Sequence, residues 1–320
     1  MSIKVIKPGI GTTLQDAGRA GFRNIGIGSG GAMDLFAMMA ANYLCGNDGN
    51  TVVMEINFPA PELLFQQNAY ISITGGNFEP MINETVVPTW APLFVKKDSI
   101  LKFKQPISGA KMYLAVQGGW QAEKWLNSSS THLKLQAGGH FGRTLQKEDV
   151  IEFAAKNSTP IKNEILHQQF VRNELEKIYQ PANVIRCIKG VEWELLVEAS
   201  KHIFVQNDFY VSPQSDRMGH RLKGSPILLK QPTDLISSAV DTGTIQLLPE
   251  GNMIILMADH QTTGGYPRIA SVIKADLPKL AQLKPNQPFN FTMVSVQDAE
   301  NAMIEMQQLL TEIKTACQLT

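Results

Sequence analysis

Short apolar runs alternate along the chain with clusters of glycine, proline, asparagine and aspartate. Runs of this kind, rich in β-branched and aromatic residues, are typical of strands. Five Gly-Gly pairs punctuate the sequence, and glycine supplies the positive φ that sharp strand exits require. The pattern therefore predicts a mainly β fold built as a barrel or sandwich. Strands are predicted at residues 52–56, 69–74, 99–103, 111–116, 244–248, 253–257 and 269–273.

Helical patterns are few. Residues 34–45 are apolar nearly all round, with Asp34 placed as an N-cap and Gly46 as a stop, so this segment is predicted to be a buried helix. A more polar helix is predicted at residues 163–178, next to the sequence "KNSTP". This polar segment is where we expect the chain to pass from one domain to the next.

A third helix is predicted near the end of the chain. Residues 297–317 place their apolar side chains on one helical face, and Ser295 with Asp298 predicts a capping pair at its start. The sequence thus predicts two β-rich domains. Residues 1–160 form the first, with one buried helix, and residues 161–320 form a barrel domain with a C-terminal helix.

Composition excludes several classes of function. The 320 residues include 29 basic and 29 acidic side chains, so the balanced charge argues against nucleic-acid binding. The apolar runs are too short to cross a bilayer, and the first residues lack the apolar core of a signal peptide. Three isolated cysteines suggest neither a metal site nor a disulfide framework. These features predict a cytoplasmic protein without a metal.

One motif imitates a dinucleotide fingerprint. Residues 26–31 read "GIGSGG", a helix is predicted next, and Glu55 stands where a ribose-binding acid would lie. The preceding "GRAGFRN" is too polar for the buried first strand of such a fold. Turn glycines that lead into a buried helix explain the motif better. No Walker A sequence occurs in the chain, so it does not hold ATP in a P-loop.

The stretch "SPQSDRMGHRL" is the first dense polar cluster. Arg217 and Arg221 lie four positions apart in it, and Asp216 precedes Arg217. A guanidinium can hold a carboxylate or phosphate through two parallel hydrogen bonds. The alternative is a loop arginine paired with Asp216.

The stretch "ADHQTTGGYP" is the second polar cluster, and it lies between two predicted strands. Its side chains offer donors and acceptors, and its glycines let a ligand approach the backbone. Such a loop can bind an anion or an amide, whereas the alternative is a tight turn that satisfies its own backbone. The candidates are Asp259, His260, Gln261, Thr262, Thr263, Gly264, Gly265 and Tyr266.

Longer motifs carry a family resemblance. They read "PGIGTTLQDAGRAGFRNIGI", "GAMDLFAMMAANYLCGN", "YLAVQGG", "YVSPQSDRMGHRLKG" and "MADHQTTGGYPRIASVIKADLPKLAQLKP". Together they resemble the biotin-dependent carboxyltransferase family, also called the allophanate hydrolase subunit 2 family. The resemblance runs from about residue 4 to about residue 298. It implies two β-rich domains with a cyclophilin-like β-barrel.

The resemblance also implies a function. A chain of this length looks most like one component of an ATP-dependent 5-oxoprolinase, which opens 5-oxoproline to glutamate while ATP is hydrolysed. The implied partners are a B component that is similar to allophanate hydrolase subunit 1 and an A component of the LamB/YcsF type. One alternative is a biotin-dependent carboxyltransferase related to urea carboxylase, which implies biotin. The other is a non-catalytic regulator of a kinase inhibitor.

The family pattern is complete in "SDRMG" and "QTTGGYP", so the site is predicted there. Under the resemblance, Arg217 holds a carboxylate or phosphate charge, and His260 or Asp259 acts as acid or base. Asp216 and residues 261–266 complete the substrate contacts. The chain departs from the pattern at Gly30, at Ser129 and in the turn at residues 190–192. We further expect the two motifs to converge at one rim of the barrel.

Overall fold

A computed structural model describes residues 2–154 and 178–318. They divide into two compact units. The first unit comprises residues 2–19, 30–154 and 307–318, and the second comprises residues 20–29 and 178–306. The predicted boundary at residue 160 lies outside the described residues and stays a prediction, and the predicted helix at 163–178 lies outside them except for its last residue.

The predicted mainly β fold is confirmed, with twenty strands and four α-helices in the described residues. The first unit contains β1 (Ser2–Lys7), β2 (Thr13–Gln15), α1 (Leu35–Leu44), β3 (Val53–Ile56), β4 (Glu62–Phe65), β5 (Ala69–Asn77), β6 (Pro80–Ile82), β7 (Thr85–Val86), β8 (Pro92–Val95), β9 (Ile100–Phe103), β10 (Ser108–Val116) and β11 (Val150–Glu152). The second contains β12 (Val184–Lys189), α2 (Glu198–Gln206), β13 (Phe209–Val211), β14 (Gly219–Lys223), β15 (Ser238–Ala239), β16 (Thr244–Leu247), β17 (Met253–Leu256), β18 (Thr263–Gly264), β19 (Arg268–Val272), α3 (Leu277–Ala281) and β20 (Pro288–Met293). The last helix, α4 (Val296–Gln318), begins in the second unit and ends in the first.

Two sheets form the first unit. One has the strand order β11-β1-β4-β9-β6-β7, and the other has the order β2-β3-β10-β5-β8. Their apolar side chains share one buried core, which includes Ile3 of β1, Phe65 of β4, Ile71 of β5 and Leu114 of β10. Alternation along each strand is what directs these side chains to one face.

Helix α1 is buried, as its uniformly apolar sequence predicts. The Asp34 side chain accepts a hydrogen bond from the backbone N–H of Ala37, so the predicted N-cap is confirmed. Two hydroxyls of β5 fix the helix on the sheet: Ser72 Oγ donates to Ala41 O at 2.6 Å, and Thr74 Oγ1 donates to Ala37 O at 2.7 Å. These bonds satisfy polar groups that would otherwise be buried without partners.

The second unit is built around a closed barrel of seven strands in the order β12-β19-β16-β17-β14-β13-β20. Most neighbours are antiparallel, and β12 pairs with β20 in parallel. Aromatic rings attach α2 to this barrel, because Phe204 of the helix stacks on Phe291 of β20 with ring centroids 4.5 Å apart. The predicted capping pair of α4 is also confirmed, since Ser295 Oγ donates to Asp298 Oδ2 at 2.6 Å and accepts from Asp298 N at 3.1 Å.

Two buried carboxylates organise the polar interior of the first unit. Glu55, the acid of the apparent dinucleotide fingerprint, accepts hydrogen bonds from Met33 N at 2.8 Å and from the Tyr113 hydroxyl at 2.9 Å. Asp16 Oδ1 accepts from the hydroxyls of Ser128 and Ser130, each at 2.6 Å, and from Gly18 N at 2.8 Å. Asp16 Oδ2 accepts from Ser129 N at 2.6 Å. These carboxylates join segments that are distant in sequence, which is a structural role.

Candidate functional site

The two polar motifs meet in the second unit, as the sequence predicts. Arg217 Nε donates to Asp259 Oδ2 at 2.7 Å, and a second guanidinium nitrogen donates to Asp259 Oδ1 at 3.1 Å. The backbones also join, because Asp259 N donates to Arg217 O at 2.8 Å. The pairing of β14 with β17 brings the loops together, since the first motif enters β14 and the second leaves β17.

The ion pair corrects one sequence interpretation. Asp216 is exposed, and its Oδ1 accepts from Met218 N at 2.8 Å and from Gly219 N at 3.1 Å, whereas Arg217 turns to Asp259. An aspartate in the position of Asp216 stabilises its own turn. The Arg217 and Asp259 side chains are only 14% and 13% exposed, so the pair is mostly shielded from water. The predicted catalytic residues Arg217 and Asp259 therefore form an ion pair with each other.

His260, in the second motif, is buried, with 1% of its surface exposed. Its Nδ1 lies 2.5 Å from the carbonyl oxygen of Gln261 and donates to it, because a carbonyl can only accept. Nε2 is then the acceptor nitrogen of the neutral ring, and no group among the described residues hydrogen-bonds it. Burial lowers the pKa of His260, as does Arg23, and these effects outweigh the opposing effects of the Gln261 carbonyl, Asp241 and Asp259. The ring is thus neutral near pH 7 and presents a basic nitrogen.

This lowered pKa gives a testable dependence of stability on pH. The unfolded chain binds a proton at His260 below the ordinary value of about 6.5, whereas the folded chain binds it only at lower pH. Stability should therefore fall as the pH drops from about 6.5 through the folded pKa of His260. His260→Asn removes the titrating group and keeps a donor near the position of Nδ1, so the fall should become shallower. Denaturant titrations at several pH values between about 7.5 and 5 measure this.

The control for that experiment is His202→Asn, because His202 is an exposed histidine of the same unit. We expect this variant to keep the wild-type dependence on pH. An unchanged dependence in His260→Asn would show that protonation of this ring is not coupled to folding.

Gln261 links the loop to the barrel wall. Its Nε2 donates to Oε1 of Gln246, a residue of β16, at 3.3 Å. Gly264 lies against the same amide, since a Cβ at that position would be 2.5 Å from Gln246 Nε2. A larger residue at position 264 therefore requires the Gln246 side chain to move.

A cavity of about 720 Å³ lies beside this loop, within the second unit. Of the predicted site residues, Thr262 and Thr263 are on its wall. Arg217, Asp259, His260 and Tyr266 are not among its lining residues, and Tyr266 is 46% exposed. The polar and charged lining residues are Arg23, Asn24, Lys189, Asp241, Thr244, Thr262, Thr263, Arg268 and Ser271.

Three cations on the wall make the cavity suited to an anion. Arg23 donates to Asp241 Oδ1 at 3.0 Å and to the carbonyl of Val240. Arg268 is held by Glu192 through hydrogen bonds of 3.1 and 2.9 Å and reaches Ala239 O at 3.3 Å. These bonds orient both guanidinium groups and leave further N–H donors, because a guanidinium has five.

Lys189 is the least constrained of the three cations. It forms an ion pair with Glu194 at 3.3 Å, and the two side chains are 63% and 68% exposed. An exposed pair of this kind contributes little to stability. The Lys189 ammonium can therefore turn towards a bound anion at small cost.

Sequence reasoning missed the cations of this cavity. Arg23 lies in the polar stretch "GRAGFRN" and Arg268 directly follows the second polar cluster, but neither position by itself indicates that the side chain faces a cavity. Arg23 binds Asp241, which is 218 positions away in the chain. Local composition carries no signal for a contact at that separation.

Other chemistry finds little support in the described residues. No group of three or more His, Cys, Asp or Glu side chains there could hold a metal ion. Burial raises the pKa of Cys45 to about 12 and that of Cys317 to about 11, so both thiols stay protonated and unreactive. Among the described residues, no helix is both long enough and apolar enough to span a bilayer.

Comparison with known proteins agrees with this architecture. The family described as carboxyltransferase domain, subdomain A and B, matches residues 25–293, and the chain belongs to this family. The chain is 37% identical over 303 residues to the C subunit of 5-oxoprolinase from Haemophilus influenzae, with 94% of each chain covered. It is 36% identical over 313 residues to the protein of the same name from Escherichia coli, with 97% of each covered.

A solved structure shows the same fold within a longer protein. The urea amidolyase of K. lactis matches with a TM-score of 0.89 and 25% identity. The match covers 98% of this chain and 20% of that protein. The barrel unit and the sheets of the first unit therefore form the architecture of a carboxyltransferase domain.

Proposed function

We propose that this chain is the C subunit of an ATP-dependent 5-oxoprolinase. The observation that carries the proposal is the similarity to two proteins named as C subunits of 5-oxoprolinase, at 37% and 36% identity over almost their whole lengths. The reaction consumes ATP and water and converts 5-oxoproline to glutamate, with ADP and phosphate as the other products. We assign the use of ATP to the assembled complex; this chain itself has no Walker A sequence.

The cavity of the barrel unit suits the proposed substrate. 5-Oxoproline is a small ring that carries a carboxylate and a lactam. A cavity of about 720 Å³ is within the usual range for ligand sites. Its arginine and lysine side chains can hold the carboxylate through charge-assisted hydrogen bonds. The hydroxyls of Thr262 and Thr263 on the same wall can orient the ring.

Within this function, the predicted catalytic residues take different roles. We assign Arg217 and Asp259 a positioning role, because their ion pair fixes the loop that carries His260 and Thr262. His260 is the candidate base, since its ring is neutral and Nε2 has a free lone pair. Asp216 stabilises its own turn, so we assign it no contact with substrate.

Partner chains complete the proposal. The relatives are named as subunits, which supports a heteromeric assembly. We infer that the partners are a B component that is similar to allophanate hydrolase subunit 1 and an A component of the LamB/YcsF type. The assembled complex, rather than this chain alone, then carries the activity.

Reconstitution tests this function. The purified chain is mixed with the candidate A and B components from the same organism, and 5-oxoproline-dependent release of phosphate and glutamate is measured. We expect turnover by the full mixture and none by any single component. Equal turnover by this chain alone would contradict the need for partners, and a full mixture without turnover would contradict the function itself.

The structural likeness to urea amidolyase motivates a second candidate, a biotin-dependent carboxyl transfer. The chain covers only 20% of that protein, so the likeness concerns one region of it. The same mixture, supplied with urea, bicarbonate and a biotinylated carrier, distinguishes the two. Urea-dependent ATP hydrolysis without 5-oxoproline turnover would favour the carboxyltransferase.

A further inference from the structure

Gln246 carries an unused hydrogen-bond donor in the wall of the barrel. The side chain is buried, with 1% of its surface exposed. Its Oε1 accepts a hydrogen bond from Gln261 Nε2 at 3.3 Å, whereas no group among the described residues accepts one from its own Nε2. Leaving a buried donor without a partner destabilises the folded protein, because the donor has lost its hydrogen bonds to water. Its presence in a candidate site suggests that a ligand supplies the missing acceptor.

The strand register places Gln246 next to residues that line the cavity. Successive side chains of a strand point to opposite faces, so Gln246 and Thr244 of β16 share a face. Arg268 of β19 lies directly opposite Gln246 on that face. Thr244 and Arg268 both line the cavity. Gln246 is therefore flanked by cavity residues on its own strand and on the neighbouring strand.

A short strand pair covers this amide. In β15 and β18, Ser238 pairs with Gly264 and Ala239 pairs with Thr263. Gly264 is the residue that lies on Gln246 Nε2, and Thr263 is on the cavity wall. Two residue pairs join β18 to β15, so few strand contacts oppose an outward shift of β18.

We propose that Gln246 recognises the lactam of 5-oxoproline, donating a hydrogen bond from Nε2 to the lactam oxygen when β18 moves outward. The inference rests on the proposed function and adds a specificity-determining residue to it. The cations of the cavity hold the carboxylate of the same molecule, so the ring spans the distance between the cations and the amide. A cyclic amino acid without the lactam oxygen, such as L-proline, leaves the donor unpaired and is rejected.

Substitution tests this role in the reconstituted complex. Gln246→Met keeps the size of the side chain and removes its donor, so KM for 5-oxoproline should rise about tenfold, the worth of one good hydrogen bond. The melting temperature should stay near that of the wild type, because Gln261 is partly exposed and can bind water instead. Gln297→Met is the matched control, since Gln297 is exposed on α4, and we expect wild-type kinetics from it.

NMR spectroscopy of the chain with its native sequence is a second measurement, and the variant serves only to assign a signal. The chain is labelled with 15N-glutamine, and the side-chain amide signal of Gln246 is assigned from its loss in Gln246→Met. Addition of 5-oxoproline should shift this signal, and the same concentration of L-proline should not. Binding of 5-oxoproline that moves other signals and leaves the Gln246 amide in place would overturn the inference.

The outcomes separate this inference from the function on which it rests. A complex that does not turn over 5-oxoproline overturns the proposed function and this role with it. An active complex in which Gln246→Met keeps the wild-type KM overturns the role of Gln246 alone. A raised KM together with a shifted amide signal supports both.

Discussion

Replacing Asp16 by asparagine is expected to lower the free energy of unfolding of the first unit by about 3 kcal/mol. The carboxylate accepts four hydrogen bonds, from the two hydroxyls of Ser128 and Ser130 and from the backbone N–H groups of Gly18 and Ser129. In asparagine, an NH₂ group replaces one of the two carboxylate oxygens. This NH₂ group faces either the donors that bind Oδ1 or the donor that binds Oδ2, depending on the orientation of the amide. At least one backbone N–H then lies buried against another donor. Asp16→Ala removes all four acceptor contacts and should cost more.

Urea titration monitored by tryptophan fluorescence measures this effect. Three tryptophans, Trp90, Trp120 and Trp125, lie in the first unit, so its unfolding dominates the signal. The matched control is Asp98→Asn, which changes an exposed carboxylate at a positive φ of 64° that asparagine tolerates. We expect less than about 0.5 kcal/mol from the control. A loss of the same small size for Asp16→Asn would mean that the serine cluster is satisfied without the carboxylate.

Arg217→Ala is expected to lower the stability of the second unit by about 2–3 kcal/mol and to reduce the activity of the complex as well. Removing one partner of a buried ion pair leaves the other charge without compensation, which generally costs about 3–5 kcal/mol. The Arg217 and Asp259 side chains are 14% and 13% exposed, so some solvent reaches the remaining carboxylate and the cost falls at or below the lower end of that range. The activity falls because the loop with His260 and Thr262 loses its attachment. Arg217→Lys should restore only part of both, since an ammonium cannot make the two parallel bonds.

A double-mutant cycle checks that the effect comes from this pair. Asp259→Ala and the double variant are compared with Arg217→Ala in denaturant titrations, and the coupling between the two positions should be about 1–3 kcal/mol. Arg221→Ala is the control, because Arg221 is an exposed arginine of the same motif, and its loss should be within about 0.5 kcal/mol. Additive effects of the two alanine substitutions would contradict the positioning role.

The structure agrees most closely with predictions that rest on local signals. The N-cap of α1 at Asp34 and the Ser295–Asp298 capping pair of α4 are formed as predicted, because a cap involves residues within one helical turn. The strands at 53–56, 253–256 and 268–272 lie within one residue of their predicted bounds, since glycine, asparagine and aspartate interrupt the chain on either side. The cluster of polar residues at 258–267 likewise predicted a loop that contributes Thr262 and Thr263 to the cavity wall.

The sequence did not predict which side chains make contact across long separations in the chain. Arg217 was expected either to face a ligand or to bind its neighbour Asp216, and it binds Asp259, which is 42 positions away. Gln246 lies inside a predicted strand, where its amide had no distinguishing feature before Gln261 and Gly264 were placed beside it. Arg23 and Arg268 likewise became cavity residues only through the fold.

The sequence by itself determined the mainly β class, the helix ends, the family and the loops that carry the candidate chemistry. Each of these depends on periodicity, on capping or on long motifs, which are properties of neighbouring residues. The tertiary structure alone decided which charges neutralise each other, which donors stay unpaired and which side chains share the cavity. Those outcomes depend on strand register and on the closure of the barrel, where a shift of one residue moves every side chain to the opposite face.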